Sequence, residues 1–287
     1  MKLISKIAFQ ACSLTLLASS PALSGATLNM SAIQDTTILT EGFFQELPWG
    51  GNVQLGMAAN NYQAMLLRFD TSSLGSLSGA TINSVSITFT AATTNAVATP
   101  GNAGNLTFSQ FSAANKGWVE GTGTGDQDVT GATNPFSNKT GPFGTNEGVD
   151  WASGGNLIAG DTLLSGLDVS ASYDAGSFAD VVFTAGETQT YTISGVDSAA
   201  LISGWLGDSD LADAGLVVSI NGPGGFFGGR EGSTLAFQYA YNSVQAGSGA
   251  AILTVDYTAI PEPSTYALGL GVGAFILIAM RRRSAKS

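Results

Sequence analysis

A chain with no histidine and a single cysteine, Cys12, has a short chemical repertoire. Ser-His-Asp and Cys-His nucleophiles are excluded, as are His-ligated zinc or haem and an imidazole switch near neutral pH. Carboxylate chemistry and hard-cation binding remain. Glycoside hydrolysis needs two Asp or Glu side chains flanking the scissile bond. Glu120, in Trp118-Val119-Glu120-Gly121, is either half of such a pair or a structural carboxylate that closes its loop onto a backbone amide or Arg68. The structural role is the more ordinary one, because the many acids of this chain make pairs by chance.

Asp126-Gln127-Asp128, and Asp208-Ser209-Asp210 with Asp213, bring oxygen ligands together on glycine-rich loops, as calcium requires. Neither group follows the full EF-hand spacing, so each is a calcium ligand set or a solvated acidic turn. No other cofactor is suggested. Sugar recognition would fall to aromatic rings, which stack on the apolar faces of pyranoses while neighbouring polar groups bond the hydroxyls. Trp49, beside Pro48 and Gly50-Gly51, Trp151 in a long loop, and Phe226-Phe227 in a glycine-rich turn are the ring candidates, each with core packing as the alternative. Trp118 and Trp205 fit a core role better.

These groups must be carried by strands. The 287 residues include 38 glycines, and only 11% are charged. Val85, Ile87 and Phe89 alternate with Ser86, Thr88 and Thr90, and Leu253, Val255 and Tyr257 alternate with Ile252, Thr254 and Asp256, giving each strand a core face and an outer face. Further strands are expected near 35–40, 65–70, 106–111, 179–183, 188–193, 215–220 and 235–241. The fold class this predicts is all-β, a sandwich. One segment differs: Asp197 to Leu206 has a capping residue followed by apolar residues at 201, 202, 205 and 206, a short helix. The weakly patterned stretch 117–160 is expected as a long excursion at one end of the sandwich. Residues 25–260 hold Arg68, Lys116, Lys139 and Arg230 against 20 acids, a net charge of −16, so nucleic acid is not an expected partner.

The two ends are of another kind. Lys2 and Lys6, an apolar run from Ile7 to Ala18, and small residues from Ala22 to Ala26 have the order of a secretory signal peptide, residues 1–26, which would take Cys12 with it. A lipoprotein role for Cys12 fits poorly, since the cysteine precedes most of the apolar run. At the other end come Pro261-Glu262-Pro263, an apolar stretch over 266–280, and Arg281-Arg282-Arg283 in a basic tail, 281–287. Fifteen helical residues span about 22 Å, and the arginines would stay cytoplasmic. Residues 260–287 resemble the PEP-CTERM sorting signal of Gram-negative bacteria. That resemblance implies transient inner-membrane insertion of a transmembrane helix, cleavage near Pro261-Glu262-Pro263 by an exosortase-type enzyme, and delivery to the cell surface or extracellular exopolysaccharide matrix.

Between the ends, Asp35-Thr36-Thr37-Ile38 is followed by Leu66-Leu67-Arg68-Phe69-Asp70-Thr71-Ser72-Ser73-Leu74, by Gly79 to Val85, by Trp118-Val119-Glu120-Gly121, by Gly148-Val149-Asp150-Trp151 and by Gly229-Arg230-Glu231. This order resembles a DNRLRE-type domain over residues 27–258, which implies a jelly-roll β-sandwich similar to extracellular carbohydrate-binding modules. The resulting expectation is a secreted, non-catalytic protein that associates with extracellular polysaccharide or builds matrix. The alternative is a secreted carbohydrate-active enzyme working with paired carboxylates.

Overall fold

The two-residue apolar period recurs throughout the chain, and strands follow it. In the computed structural model the described residues are 25–39, 47–58, 63–92, 95–96, 105–125, 130–133, 136–142, 144–154, 162–164, 169–171, 182–193, 195–221 and 238–259, with 271, 273–275, 278 and 281–282 near the C-terminus. They form β1 (Gly25–Leu39), β2 (Gln54–Ala58), β3 (Gln63–Phe69), β4 (Thr81–Thr90), β5 (Asn95–Ala96), β6 (Asn105–Phe111), β7 (Phe136–Lys139) and β8 (Gly148–Asp150). Next come β9 (Thr162–Leu164), β10 (Val169–Ala171), β11 (Val182–Phe183), β12 (Thr188–Ile193), α1 (Gly195–Gly207), α2 (Ser209–Ala214), β13 (Leu216–Asn221), β14 (Gln238–Asn242) and β15 (Ile252–Thr258). By its contacts the chain divides into two units, residues 27–78 with 82–257, and residues 1–26 with 79–81 and 258–287.

The larger unit is β-rich and sandwich-like, organised around a curled antiparallel sheet. Nine strands pair in the order β10-β12-β4-β15-β1-β3-β13-β6-β9, and β11-β5, β14-β2 and β7-β8 pair separately. In β4 the alternation sends Val85, Ile87 and Phe89 inward, opposite Ile193, Tyr191 and Gln189 of β12. With Met65, Leu67, Phe69, Val218, Leu253 and Val255 they form the main core. β3 and β13 are covered on both faces, since Ala64, Leu66 and Val217 belong to a second cluster with Ile38, Phe111, Trp118 and Trp151. Such doubly buried strands become unbroken apolar runs, Ala64 to Leu67 and Leu216 to Val218, whereas singly buried strands alternate. Each buried aliphatic or aromatic side chain contributes roughly 1.5–3 kcal/mol, so two such clusters hold the fold without a disulfide.

The expected helix at 197–206 lies within α1, whose buried Leu201, Ile202 and Trp205 face the main core; the Trp205 ring centroid is 6.4 Å from that of Phe69. A second helix, α2, stands where an acidic turn was expected. The excursion at 117–160 also needs correction, because it contains the β7-β8 hairpin and carries two tryptophans into the second cluster. In the smaller unit the described residues 271, 273–275, 278 and 281–282 are helical. No helix among the described residues is long and apolar enough to cross a membrane. Residues 1–24 of the expected signal peptide (1–26) and most of the expected sorting helix at 266–280 lie outside the described residues.

Candidate functional site

An irregularity in β1 decides where its one acid points. Ala32 stands opposite Phe69 and Gln34 opposite Arg68, so Ile33 is an extra residue, exposed to solvent. One extra residue reverses the in-out alternation beyond it. Asp35 and Thr37 therefore share a face with their partners Leu67 and Met65, both in the main core. Asp35 is only 1% exposed.

Its carboxylate is half satisfied. Oδ2 accepts from the backbone N–H of Val244 at 2.8 Å, whereas Oδ1 is buried with no hydrogen-bond partner. Burial pushes the Asp35 pKa up to about 7; the Val244 bond offsets part of that rise and the neighbouring Glu120 charge adds to it. The backbone N–H of Asp35 donates to Glu120 Oε1 at 2.8 Å, and Gln245 Nε2 donates to the same oxygen at 2.8 Å. Ala32, three residues back, donates instead to the carbonyl of Ala251, next to the first residue of β15. A side-chain carboxylate thus takes over the acceptor role of a strand carbonyl. Burial also raises the Glu120 pKa, opposed by the two hydrogen bonds and the Arg68 charge.

Arg68 lies close to the pair but is engaged elsewhere. It donates to Gln34 Oε1 and to the carbonyls of Lys116 and Trp118, sits 4.8 Å from the centroid of the Trp118 ring, and has its Nε 3.6 Å from Asp213. Burial lowers its pKa, and the charges of Asp213 and Glu120 raise it. A guanidinium stays protonated under these opposing influences.

Beside the carboxylates lies a glycine-built platform. The Gly125 N–H donates to Pro48 O at 3.0 Å and the Gly51 N–H to Gly123 O at 2.7 Å, which lays segment 48–51 against segment 120–125. A Cβ on Gly50 would stand 1.9 Å from the Glu120 carbonyl oxygen, and one on Gly125 (φ 91°) 2.6 Å from the Trp49 indole. Only glycine allows both approaches. Trp49 is partly exposed above Gly125, and its Nε1 is buried with no acceptor.

The other expected site residues divide three ways. Trp151 belongs to the core and offers no open ring face: it is 1% exposed, stacks on Phe111 at 5.6 Å between centroids, and donates from Nε1 to Thr133 O at 3.1 Å. Asp208, Asp210 and Asp213 do not converge. Asp208 caps α2 by accepting from the Asp210 N–H at 2.9 Å, Asp210 pairs with Lys116 at 2.7 Å, and Asp213 faces Arg68. Helix capping and two separate cations spread these three acids, which corrects their reading as one calcium cage. Among the described residues no three His, Cys, Asp or Glu side chains are placed to hold a metal by themselves. Asp126, Asp128, Phe226, Phe227, Pro261, Glu262, Pro263 and Arg283 lie outside the described residues, and Arg281 and Arg282 are exposed.

Sequence reasoning missed Asp35 as an ionisable site residue, along with Gln245. The signal for Asp35 is faint: an acid inside an apolar and β-branched strand segment, whose inward turn depends on a one-residue bulge. Gln245 carries no signal in sequence at all. No protein-family model matches the chain, and no curated protein matches it either.

Proposed function

We propose that the chain is an exported, non-catalytic protein of the cell surface or exopolysaccharide matrix of a Gram-negative bacterium, built on a jelly-roll-like β-sandwich that associates with polysaccharide or builds matrix structure. The observation that carries this reading is the order of the C-terminal features: Pro261-Glu262-Pro263, an apolar stretch, then Arg281-Arg282-Arg283. With the N-terminal Lys2, Lys6 and apolar run, it fits export followed by exosortase-type processing at the inner membrane. The β-rich body suits such a destination, since two apolar clusters stabilise it without cysteine.

Polysaccharide association is supported by Trp49, a partly exposed ring on a glycine platform beside polar backbone. A partly exposed indole supplies stacking area for a sugar ring at small entropic cost. The carboxylate-enzyme alternative is weakened by geometry. Glu120 Oε1 is held by a backbone amide and a glutamine, and Asp35 is only 1% exposed, an arrangement that suits structural carboxylates better than a hydrolytic pair. Purified protein on a polysaccharide array, with released reducing ends assayed in parallel, tests both. Retention without product is expected; product that Glu120→Gln abolishes would replace this reading with the enzyme.

A further inference from the structure

The two segments of the Trp49 platform carry polar groups of one kind. Segment 48–51 lies on segment 120–125 so closely that a Cβ on Gly51 would stand 2.2 Å from the Thr122 carbonyl oxygen and 3.0 Å from that of Gly123. Glycine and threonine alternate from Gly121 to Gly125, with Thr122 and Thr124 exposed and Gly123 buried. Beyond Gly51 the chain continues with Asn52, partly exposed, and Gln54, exposed. Hydroxyls and amides donate and accept hydrogen bonds without carrying charge.

Charge enters these segments only as acid. Glu120 is the first residue of the lower segment, Asp126 and Asp128 follow Gly125 in sequence, and Glu46 stands three residues before Trp49. No basic residue occurs between Lys6 and Arg68, or between Lys116 and Lys139. The described cations of the body are committed elsewhere. Arg68 donates to Gln34, Lys116 and Trp118 and faces Asp213, Lys116 pairs with Asp210 at 2.7 Å, and Lys139 is 0% exposed and so presents nothing at the surface. Arg230 lies outside the described residues. A carboxylate or sulfate on a sugar is held by cations, and a body at −16 over residues 25–260 repels it.

We propose that the Trp49 platform binds an uncharged polysaccharide, by ring stacking and neutral hydrogen bonds, and rejects uronate and sulfated polymers. This rests on the reading of the chain as a polysaccharide-associated protein and names the class of polymer. A neutral pyranose offers the indole its apolar face and offers the threonine and amide groups its hydroxyls. An acidic sugar would bring a charge that loses water beside Glu120 with no cation to receive it, a penalty that falls on the wrong polymer alone.

Retention of the full chain on immobilised polysaccharides tests the proposal, with Arg281→Ser, Arg282→Ser and Arg283→Ser introduced so that the basic tail does not hold acidic polymers. Neutral glucans, mannans and galactans are compared with polygalacturonate and a sulfated galactan. All are run in chelator, at low salt and at about 0.5 M salt, which screens exposed charge pairs. Retention on a neutral polymer, none on the acidic ones, and no more than about a twofold change with salt are expected. Trp49→Ala should weaken that retention about tenfold, and Trp49→Phe, which keeps an aromatic face, should restore most of it. Retention on an acidic polymer would overturn the proposal while leaving the chain a polysaccharide binder. Retention on a neutral polymer that Trp49→Ala leaves unchanged would also overturn it, since the contact would then lie elsewhere. No retention on any polymer would remove the polysaccharide reading itself and this inference with it, leaving a matrix protein without a sugar ligand.

Discussion

At the scale of single residues, Asp35 has the most measurable consequence. Its pKa is about 7 in the folded protein against 3.8 for a free side chain. Between pH 4 and 7 the folded state holds a proton that the unfolded chain has lost, so stability is greatest on the acid side and falls as pH rises through that window. The full loss is on the order of 4 kcal/mol, at about 1.4 kcal/mol per pH unit. Glu120 shifts in the same direction and adds to the trend. Chemical denaturation from pH 4 to pH 8 should show the decline, and Asp35→Asn should flatten most of it; a wild-type curve that rises over this range would show that Asp35 is not held in a desolvating site. The two loop tryptophans separate just as sharply. Trp151→Ala removes a fully buried ring and its hydrogen bond to Thr133, so it should cost about 3–5 kcal/mol of stability. Trp49→Ala should leave the unfolding midpoint nearly unchanged while weakening polysaccharide retention by one to a few kcal/mol. Equal effects of both substitutions on stability would place Trp49 in the core as well.

At the scale of elements, capping explains more of the acidic pattern than metal binding does. Asp208 accepts the Asp210 N–H at the start of α2, so Asp208→Ala should cost about 1 kcal/mol in denaturant while leaving any shift of the unfolding midpoint by calcium intact. A lost calcium shift in that variant would restore the Asp208 group as a ligand set. Deletion of Ile33 should be far more disruptive, because removing the extra residue sends Asp35 to the opposite face of β1 and takes the acceptor from Val244 with it. Its expected signature is a large drop in Tm together with loss of the acid-side stability. These elements also show what was legible in sequence. β4, β12 and β15 have one buried face, their alternation is plain, and they fall at the expected positions. α1 announces itself through Leu201, Ile202 and Trp205 at helical spacing. By contrast β2, β5 and β7 to β10 are two to five residues long and hold too few residues to display a period. The candidate site was legible only in Glu120 and Trp49. Asp35 and Gln245, 210 positions apart in sequence, both donate to Glu120 Oε1, and no local pattern encodes such a meeting.

At the scale of the whole molecule, charge and length decide how the proposed sorting signal behaves. The body of the chain is strongly acidic, at −16 over residues 25–260, while Arg281, Arg282, Arg283 and Lys286 crowd the C-terminus. A basic cluster behind an apolar stretch resists translocation and remains on the cytoplasmic side, whereas acidic residues in the exported part do not oppose it. The apolar stretch 266–280 is only fifteen residues, about 22 Å as a helix against a hydrocarbon core of about 30 Å, so it would be a strained permanent anchor. A short stay in the membrane followed by cleavage is the use such a segment suits, and on the proposed reading the cut falls near Pro261-Glu262-Pro263. Intact-mass analysis of protein recovered from the cell surface should therefore end close to Pro261 and lack the seven residues from Arg281 to Ser287. Removal of the three arginines should leave the body exported but unprocessed, because the segment would no longer halt in the bilayer. Mature surface protein that still carries Arg281–Ser287 would make the C-terminus a plain anchor, and the assignment to a released matrix protein would fall with it.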